Sequence, residues 1–276
     1  MRVHLASSLQ DALAFKATEP DAWPIAGGTD AMVHWPGAHE MHERTWLDLS
    51  HLNELRTVEF RDDFVELGAL ATYWDVIRDA RFTALPLLPQ AAATVGAVQI
   101  QTRGTWAGNI ANASPAADGV PALMAYDAEV VLGSRDGGER VVALADFYHG
   151  YKQLEARPEE LITAVRVPLR AHDHQDFIKV GSRAAQAITK VGLAYAHSSE
   201  GWRIVANSMA PTVCRCAAVE TLVAAGTAVA GPDDLADAIA EDLTPIDDIR
   251  STGAYRLRVF GRVLYHALQP ICDSFS

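Results

Sequence analysis

The chain has 276 residues, enough for one large domain or two ordinary ones with a substantial buried core. With 49% hydrophobic and 21% charged residues it reads as an ordinary globular protein. Its formal net charge of -12 argues against nucleic acid as a partner, because binding a phosphate backbone needs clustered Lys and Arg that this chain lacks, so any phosphate it holds must rely on local donors.

The first residues turn polar and acidic by Gln10 and Asp11, too early for the apolar core of a signal peptide, and no apolar run is long enough to span a bilayer. Cys214, Cys216 and Cys272 form one C-x-C pair with no second pair to complete a four-ligand cluster. A reduced, cytoplasmic protein is expected.

In chain order, Ser8 caps a helix to residue 18, in which Leu9, Ala12, Leu13 and Phe15 fall near helical spacing. An extended segment over 23–26 delivers the chain into a first glycine loop, Ile25-Ala26-Gly27-Gly28-Thr29-Asp30. Strands are expected over 45–49 and 64–70, and a helix over 72–80. The alanine-rich stretch 85–96 reads as a helix with Pro86 and Pro89 in its first turn, where proline is tolerated.

It leads into a second glycine loop, Gly104-Thr105-Trp106-Ala107-Gly108-Asn109-Ile110-Ala111-Asn112, followed by Ser114 and Pro115-Ala116-Ala117-Asp118. A helix over 120–126 follows, then strands over 129–133 and 161–167 with a helix-like piece, 143–147, between them. Beyond Arg170 a polar stretch precedes strands over 177–181, 188–197 and 202–209, and helical patterns run from Arg215 to the end. This order suggests a separate α+β unit with its helices on one face of an antiparallel sheet.

The first loop lacks the Gly-Lys-Ser/Thr ending of a Walker A motif and the third glycine of a Rossmann fingerprint. Alone it also reads as a strand-to-helix turn capped by Thr29 or Asp30. The second offers Thr105, Gly108, Asn109, Asn112 and Ser114 as hydroxyl, amide and backbone donors within ten residues. Together the loops suggest a diphosphate cradle for a nucleotide cofactor, with a flavin as the leading reading.

Asp118 either accepts from a ribose or ribityl hydroxyl or caps the following helix, and spacing does not separate the two. Cys214 and Cys216 cannot ligate an iron-sulfur cluster alone and read as buried or incidental thiols. His39, His42, His51, His172 and His174 fit no zinc pattern. No Gly-x-Ser-x-Gly elbow or paired carboxylates mark a hydrolytic site, so neither catalytic nor metal-ligating residues are assigned.

In these residues the chain resembles the FAD-binding medium subunits of the molybdenum hydroxylases, the xanthine dehydrogenase and carbon monoxide dehydrogenase group. The resemblance rests on Ala26 to Asp30, on Thr105 to Asp118, and on three later blocks. These are Pro158-Glu159-Glu160-Leu161-Ile162, Phe177-Ile178-Lys179-Val180-Gly181-Ser182-Arg183 and Ala210-Pro211-Thr212-Val213-Cys214-Arg215, and the ending Asp248 to Arg256 agrees as well. It implies an α+β fold: an FAD-binding domain over 1–170 of two α/β subdomains, about 1–56 and 57–170, of the vanillyl-alcohol-oxidase or PCMH kind. A C-terminal α+β domain of CO-dehydrogenase-flavoprotein type over 171–276, with a three-stranded antiparallel sheet and helices, would complete it.

The resemblance further implies that Ile25, Ala26, Gly27, Gly28, Thr29, Asp30, Thr105, Ala107, Gly108, Asn109 and Asp118 contact FAD. Ile162 and Lys179 would approach the flavin ring, and Val95 and Gly96 are further candidates. Read without the resemblance, Lys179 is a solvated lysine on an exposed strand. The implied partners are a large subunit with a molybdopterin-type cofactor and a small subunit with [2Fe-2S] clusters, in a dimer of heterotrimers. Electrons would pass to an external acceptor.

Two departures from the family pattern stand out. Trp106-Ala107 replaces Ile-Gly, which would strain the loop if Ala107 needed positive φ, and Gln101-Thr102 replaces Arg-Asn. The alternatives are a stand-alone flavin reductase of the same fold and a flavin-free assembly subunit.

Overall fold

The computed structural model describes residues 1–35 and 37–275. Contacts group the chain into two compact units. The first comprises Met1–Arg81, Gly96–Ala113 and Asp127–Leu169, and the second comprises Phe82–Val95, Ser114–Tyr126 and Arg170 onward.

The elements run β1 (Arg2–Leu5), α1 (Leu9–Thr18), β2 (Trp23–Ile25), α2 (Ala31–His34), α3 (His39–Glu43), β3 (Thr45–Asp48), β4 (Val58–Phe60), β5 (Phe64–Gly68) and α4 (Tyr73–Arg78). Next come α5 (Leu87–Thr94), α6 (Val98–Gln101), α7 (Trp106–Asn112), α8 (Gly119–Ala125), β6 (Glu129–Ser134), β7 (Gly138–Ala143), β8 (Tyr148–Gly150), β9 (Gln153–Leu154) and β10 (Leu161–Pro168). The last are β11 (His174–Val180), β12 (Val191–Ser198), β13 (Gly201–Asn207), β14 (Cys214–Arg215), α9 (Ala217–Ala224), α10 (Ala236–Asp242) and α11 (Gly253–Leu268).

In the first unit β1 and β2 flank β3 in a parallel three-stranded sheet, and β4, β5, β10, β6 and β7 form an antiparallel sheet in that order. Helix α1 starts where Ser8 Oγ accepts from the Asp11 amide, the expected cap. It buries Ala12 in a cluster with Leu47, Leu49, Leu70, Ala107 and Leu161, against which Leu9, Leu13 and Phe15 pack. Thr72 and Asp75 close a reciprocal capping box at α4. The piece at 143–147 is a 3-10 turn over Leu144–Asp146, because β7 consumes the chain up to Ala143.

The second unit carries the three long antiparallel strands β11, β12 and β13, and β14 adds a fourth of two residues. Along β12 and β13, Val191, Leu193, Tyr195, Ile204 and Ala206 share a core with Val219, Phe260 and Leu264 from α9 and α11. Helices α8 and α5 also pack on this sheet, so helices cover both faces and not the one face expected. The reason lies in their sequences: every residue of α8 is buried, and α5 buries Leu87, Leu88, Ala91 and Ala92, so each needs partners on more than one side. Among the described residues no helix is long and apolar enough to cross a membrane.

Candidate functional site

Parallel pairing of β2 with β3 carries the chain to Ile25, whose carbonyl accepts from the Leu49 amide at 2.9 Å, and releases it at Gly27. Gly28 has φ of +73°, a conformation that disfavours a Cβ. The N–H groups of Gly27, Gly28 and Thr29 donate to no other group among the described residues. Successive free amides around a left-handed residue form a concavity suited to an anion.

The second glycine segment meets the first directly. A Cβ on Gly27 would lie 1.7 Å from the Arg103 carbonyl oxygen, and one on Gly104 would lie 3.4 Å from Thr29 Oγ1. Arg103 Nε donates to Gly27 O at 3.1 Å, and Asn112 Nδ2 donates to Asp30 Oδ1 at 2.9 Å. The Tyr73 amide donates to Gly104 O and the Trp106 amide to Ala71 O, both at 3.2 Å, which anchors the segment to the start of α4.

From Trp106 onward this segment is helix α7 and not a loop. Thr105 Oγ1 accepts from the Gly108 amide at 2.9 Å as its N-cap. Ala107 lies in the first helical turn, outside the positive-φ residues, and is buried with Leu70 and Leu161, so the feared backbone strain does not arise. The Trp106 ring is fully buried and packs edge-on against Tyr73, with ring centroids 5.0 Å apart. Gln101 is buried at the end of α6 while Thr102 is exposed.

Asn109 Oδ1 is shielded from solvent without a hydrogen-bond partner among the described residues. It is an acceptor in want of a donor. Ala26 and Ile162 both pack against the cluster that contains Ala107. Gly96 has φ of +51°, and a Cβ there would lie 2.9 Å from Ile100 Cγ1.

The second unit gathers Asp118, Lys179 and the residue beside Val95. Asp118 stands at the N-cap position of α8 but makes no side-chain cap bond there. Its carboxylate accepts from Lys179 Nζ at 2.7 Å and from the Thr189 hydroxyl, and Lys179 also donates to Thr94 O at 3.0 Å. The two side chains are 12% and 10% exposed, which removes the solvated-strand reading of Lys179. Burial pushes the Asp118 carboxyl above its usual range, while Lys179 and the hydroxyl of Thr189 oppose that shift.

Thr189 and Asn207 carry no motif, and sequence reading missed them. Asn207 Nδ2 donates to Ala117 O at 2.9 Å and the Ser208 amide to Pro115 O at 2.7 Å, fixing the segment before Asp118. Val95 caps the C-terminus of α5, next to Thr94.

Cys216 is buried and Cys214 half-buried. Burial pushes Cys214 to about 11 and Cys216 well above the ordinary thiol range, which makes both poor nucleophiles. His39 and His42 lie in α3, and His174 opens β11. Among the described residues no group of three or more His, Cys, Asp or Glu side chains could hold a metal ion.

The ending block is structural. Arg256 is 4% exposed and donates to Lys190 O, Ser208 O and Asp248 Oδ1 at 2.8, 2.7 and 2.8 Å. Burial raises Asp248, but the Arg250 and Ser251 amides and the Arg256 and Arg250 guanidinium groups outweigh it and hold the carboxyl at about 2. A carboxylate with a depressed folded pKa stabilises above its unfolded value, and that stability drains away as pH falls toward the folded one. Between roughly pH 4 and 2, Asp248→Asn should therefore show less acid-induced loss than wild type, by on the order of 1 kcal/mol in urea titrations. Equal acid slopes would remove this assignment.

Two family descriptions match the chain. "FAD binding domain in molybdopterin dehydrogenase" covers residues 1–170, and "CO dehydrogenase flavoprotein C-terminal domain" covers residues 176–271. The carbon monoxide dehydrogenase medium chain of Afipia carboxidovorans is 31% identical over 280 residues, spanning 96% of this chain and 94% of its own. The xanthine dehydrogenase FAD-binding subunit of Escherichia coli O157:H7 is 28% identical over 267 residues, spanning 93% and 90%. Among solved structures, a chain of carbon monoxide dehydrogenase from Hydrogenophaga pseudoflava superposes with a TM-score of 0.86 at 26% identity, covering 100% of this chain and 98% of that one. With both parts of the chain matched and the paired glycine segments in place, the protein belongs to the FAD-binding medium subunits of the molybdopterin dehydrogenases.

Proposed function

We propose that this chain is the electron-transfer subunit of a cytoplasmic heterotrimeric molybdenum hydroxylase, relaying electrons from [2Fe-2S] clusters on a small subunit to an external acceptor. Substrate would be hydroxylated on a large subunit carrying the molybdenum cofactor, in a dimer of heterotrimers. The observation that carries the reading is the direct contact of the two glycine segments, with three free amides on one and the unpartnered Asn109 Oδ1 on the other. Bound FAD supplies reversible one- and two-electron chemistry.

The residues present fit that group. Gly27, Gly28 and Thr29 would direct amides at the pyrophosphate, with Ile25, Ala26 and Asp30 framing them, and Asn109 Oδ1 would accept from a cofactor hydroxyl or amide. Thr105, Ala107 and Gly108 form the capped turn that holds Asn109, and Ile162 would supply an apolar contact toward the ring. For Asp118, Lys179 and Val95 of the second unit, a cofactor role is carried by the family resemblance alone, and within that unit Lys179 is held by Asp118 and by the Thr94 carbonyl beside Val95. Gly96 remains a candidate contact through its left-handed backbone, the space of its missing Cβ being taken by Ile100.

The test is purification of the tagged full-length chain from its native cell. Expected is a yellow complex containing one large molybdopterin-bearing chain and one small cysteine-rich chain, with no substrate turnover by the isolated subunit. A lone chain that oxidises NAD(P)H without partners would overturn the reading. So would a folded chain without visible flavin absorbance that fails to take up added FAD.

A further inference from the structure

Hairpin β8–β9 turns at Tyr151 and Lys152, and Lys152 sits at φ of +58°, where an L side chain crowds its own backbone. A glycine would meet the needs of this turn without strain. What glycine lacks is the ammonium, and Lys152 Nζ donates to Asn112 O at 2.6 Å and to Asn112 Oδ1 at 2.7 Å.

Asn112 is the last residue of α7, and Ala113 ends the helix in the left-handed conformation, with φ of 49°. The Asn112 carbonyl is thus an end-of-helix acceptor, where a cation is favoured. The amide of Asn112 then reaches Asp30 through Nδ2 at 2.9 Å. An ammonium only donates and a carboxylate only accepts, so Lys152 and Asp30 together permit one orientation of this amide. Asp30 makes no side-chain cap bond to α2, and its carboxylate is committed to Asn112 instead.

The first glycine segment is therefore tied to the second at both ends. Arg103 holds Gly27 at one end, and Asn112 holds Asp30 at the other. Between the ties lie the free amides of Gly27, Gly28 and Thr29.

We propose that Lys152 is a positioning residue for the flavin nucleotide, acting through Asn112 and Asp30 to order the first glycine segment before the phosphates arrive. The proposal rests on reading this chain as the FAD-carrying subunit. Lys152 itself is not placed on the cofactor. Its contribution is preorganisation, which shows as affinity because the ordering cost is met before binding.

Lys152→Gly in the full-length chain deletes the ammonium while relieving the turn, and Lys152→Arg keeps the charge. Each chain is stripped of flavin and titrated with FAD by fluorescence quenching, and the amide resonances of Gly27, Gly28 and Thr29 are followed by NMR. Lys152→Gly should bind FAD about three- to tenfold more weakly. Its three resonances should move or broaden, its melting temperature without flavin should stay level or rise, and Lys152→Arg should restore both affinity and resonances. Unchanged affinity and resonances in Lys152→Gly overturn the proposal while leaving the flavin reading intact, and so does a loss that Lys152→Arg fails to restore. A wild-type chain that takes up no FAD overturns the flavin reading and the proposal with it.

Discussion

A Gly27→Ala chain should lose flavin almost completely, with affinity for added FAD at least about a hundredfold below wild type. The added Cβ would stand 1.7 Å from the Arg103 carbonyl oxygen and 2.5 Å from its carbon. Those atoms are backbone, anchored through Gly104 O and Ala71 O to the start of α4, and cannot swing aside as a side-chain tip would. The two glycine segments must part, breaking the Arg103 to Gly27 bond and displacing the free amides.

Gly28→Ala makes the informative comparison. Its Cβ has room, the nearest atom being Ile25 Cδ1 at 3.7 Å, but φ of +73° costs about 1 kcal/mol for an L residue. Its affinity should fall only about tenfold or less. Flavin content per chain and an FAD titration measure both variants. Wild-type retention by Gly27→Ala would remove the first glycine segment from the site.

The second large effect concerns stability. Lys179→Met should cost about 3 kcal/mol at neutral pH, because it leaves the Asp118 carboxylate buried without its cation. The sign of the pH dependence follows from burial. The folded chain holds the Asp118 proton more tightly than the unfolded chain does, so stability falls as pH rises from the ordinary carboxylate range through the raised folded value.

Without Lys179 the folded value rises further. The deficit of Lys179→Met should be largest near neutrality and shrink on acidification, as Asp118 becomes neutral. Asp118→Asn combined with Lys179→Met should recover much of it, since the two residues are in direct contact and their effects are not additive. Urea denaturation at a series of pH values measures this. A deficit that is independent of pH would show that Lys179 acts through packing and not through the Asp118 charge.

Much of the fold is legible in short stretches of sequence. Ser8 and Thr72 announce their helices because a capping side chain acts on amides two or three residues away. The Phe64, Leu161 and Val191 strands carry their own apolar patterns. Less visible were β1, whose exposed residues lack alternation, and β14, which has two residues. Around Thr105 a glycine-rich spelling concealed a helix, because Thr105 supplies the cap and Trp106 turns into the core against Tyr73.

The sequence by itself determined the family and the two glycine segments, since the motifs that carry them depend on residue types within short stretches of chain. Tertiary structure alone decided how those parts are used. It set Gly27 against Arg103, gave Asp118 to Lys179 and Thr189 in place of its own helix, and linked Lys152 through Asn112 to Asp30. These pairings join residues far apart in the chain, and a polar side chain has several local partners to choose from. Only packing, which excludes water and fixes the neighbours, decides which of them it takes.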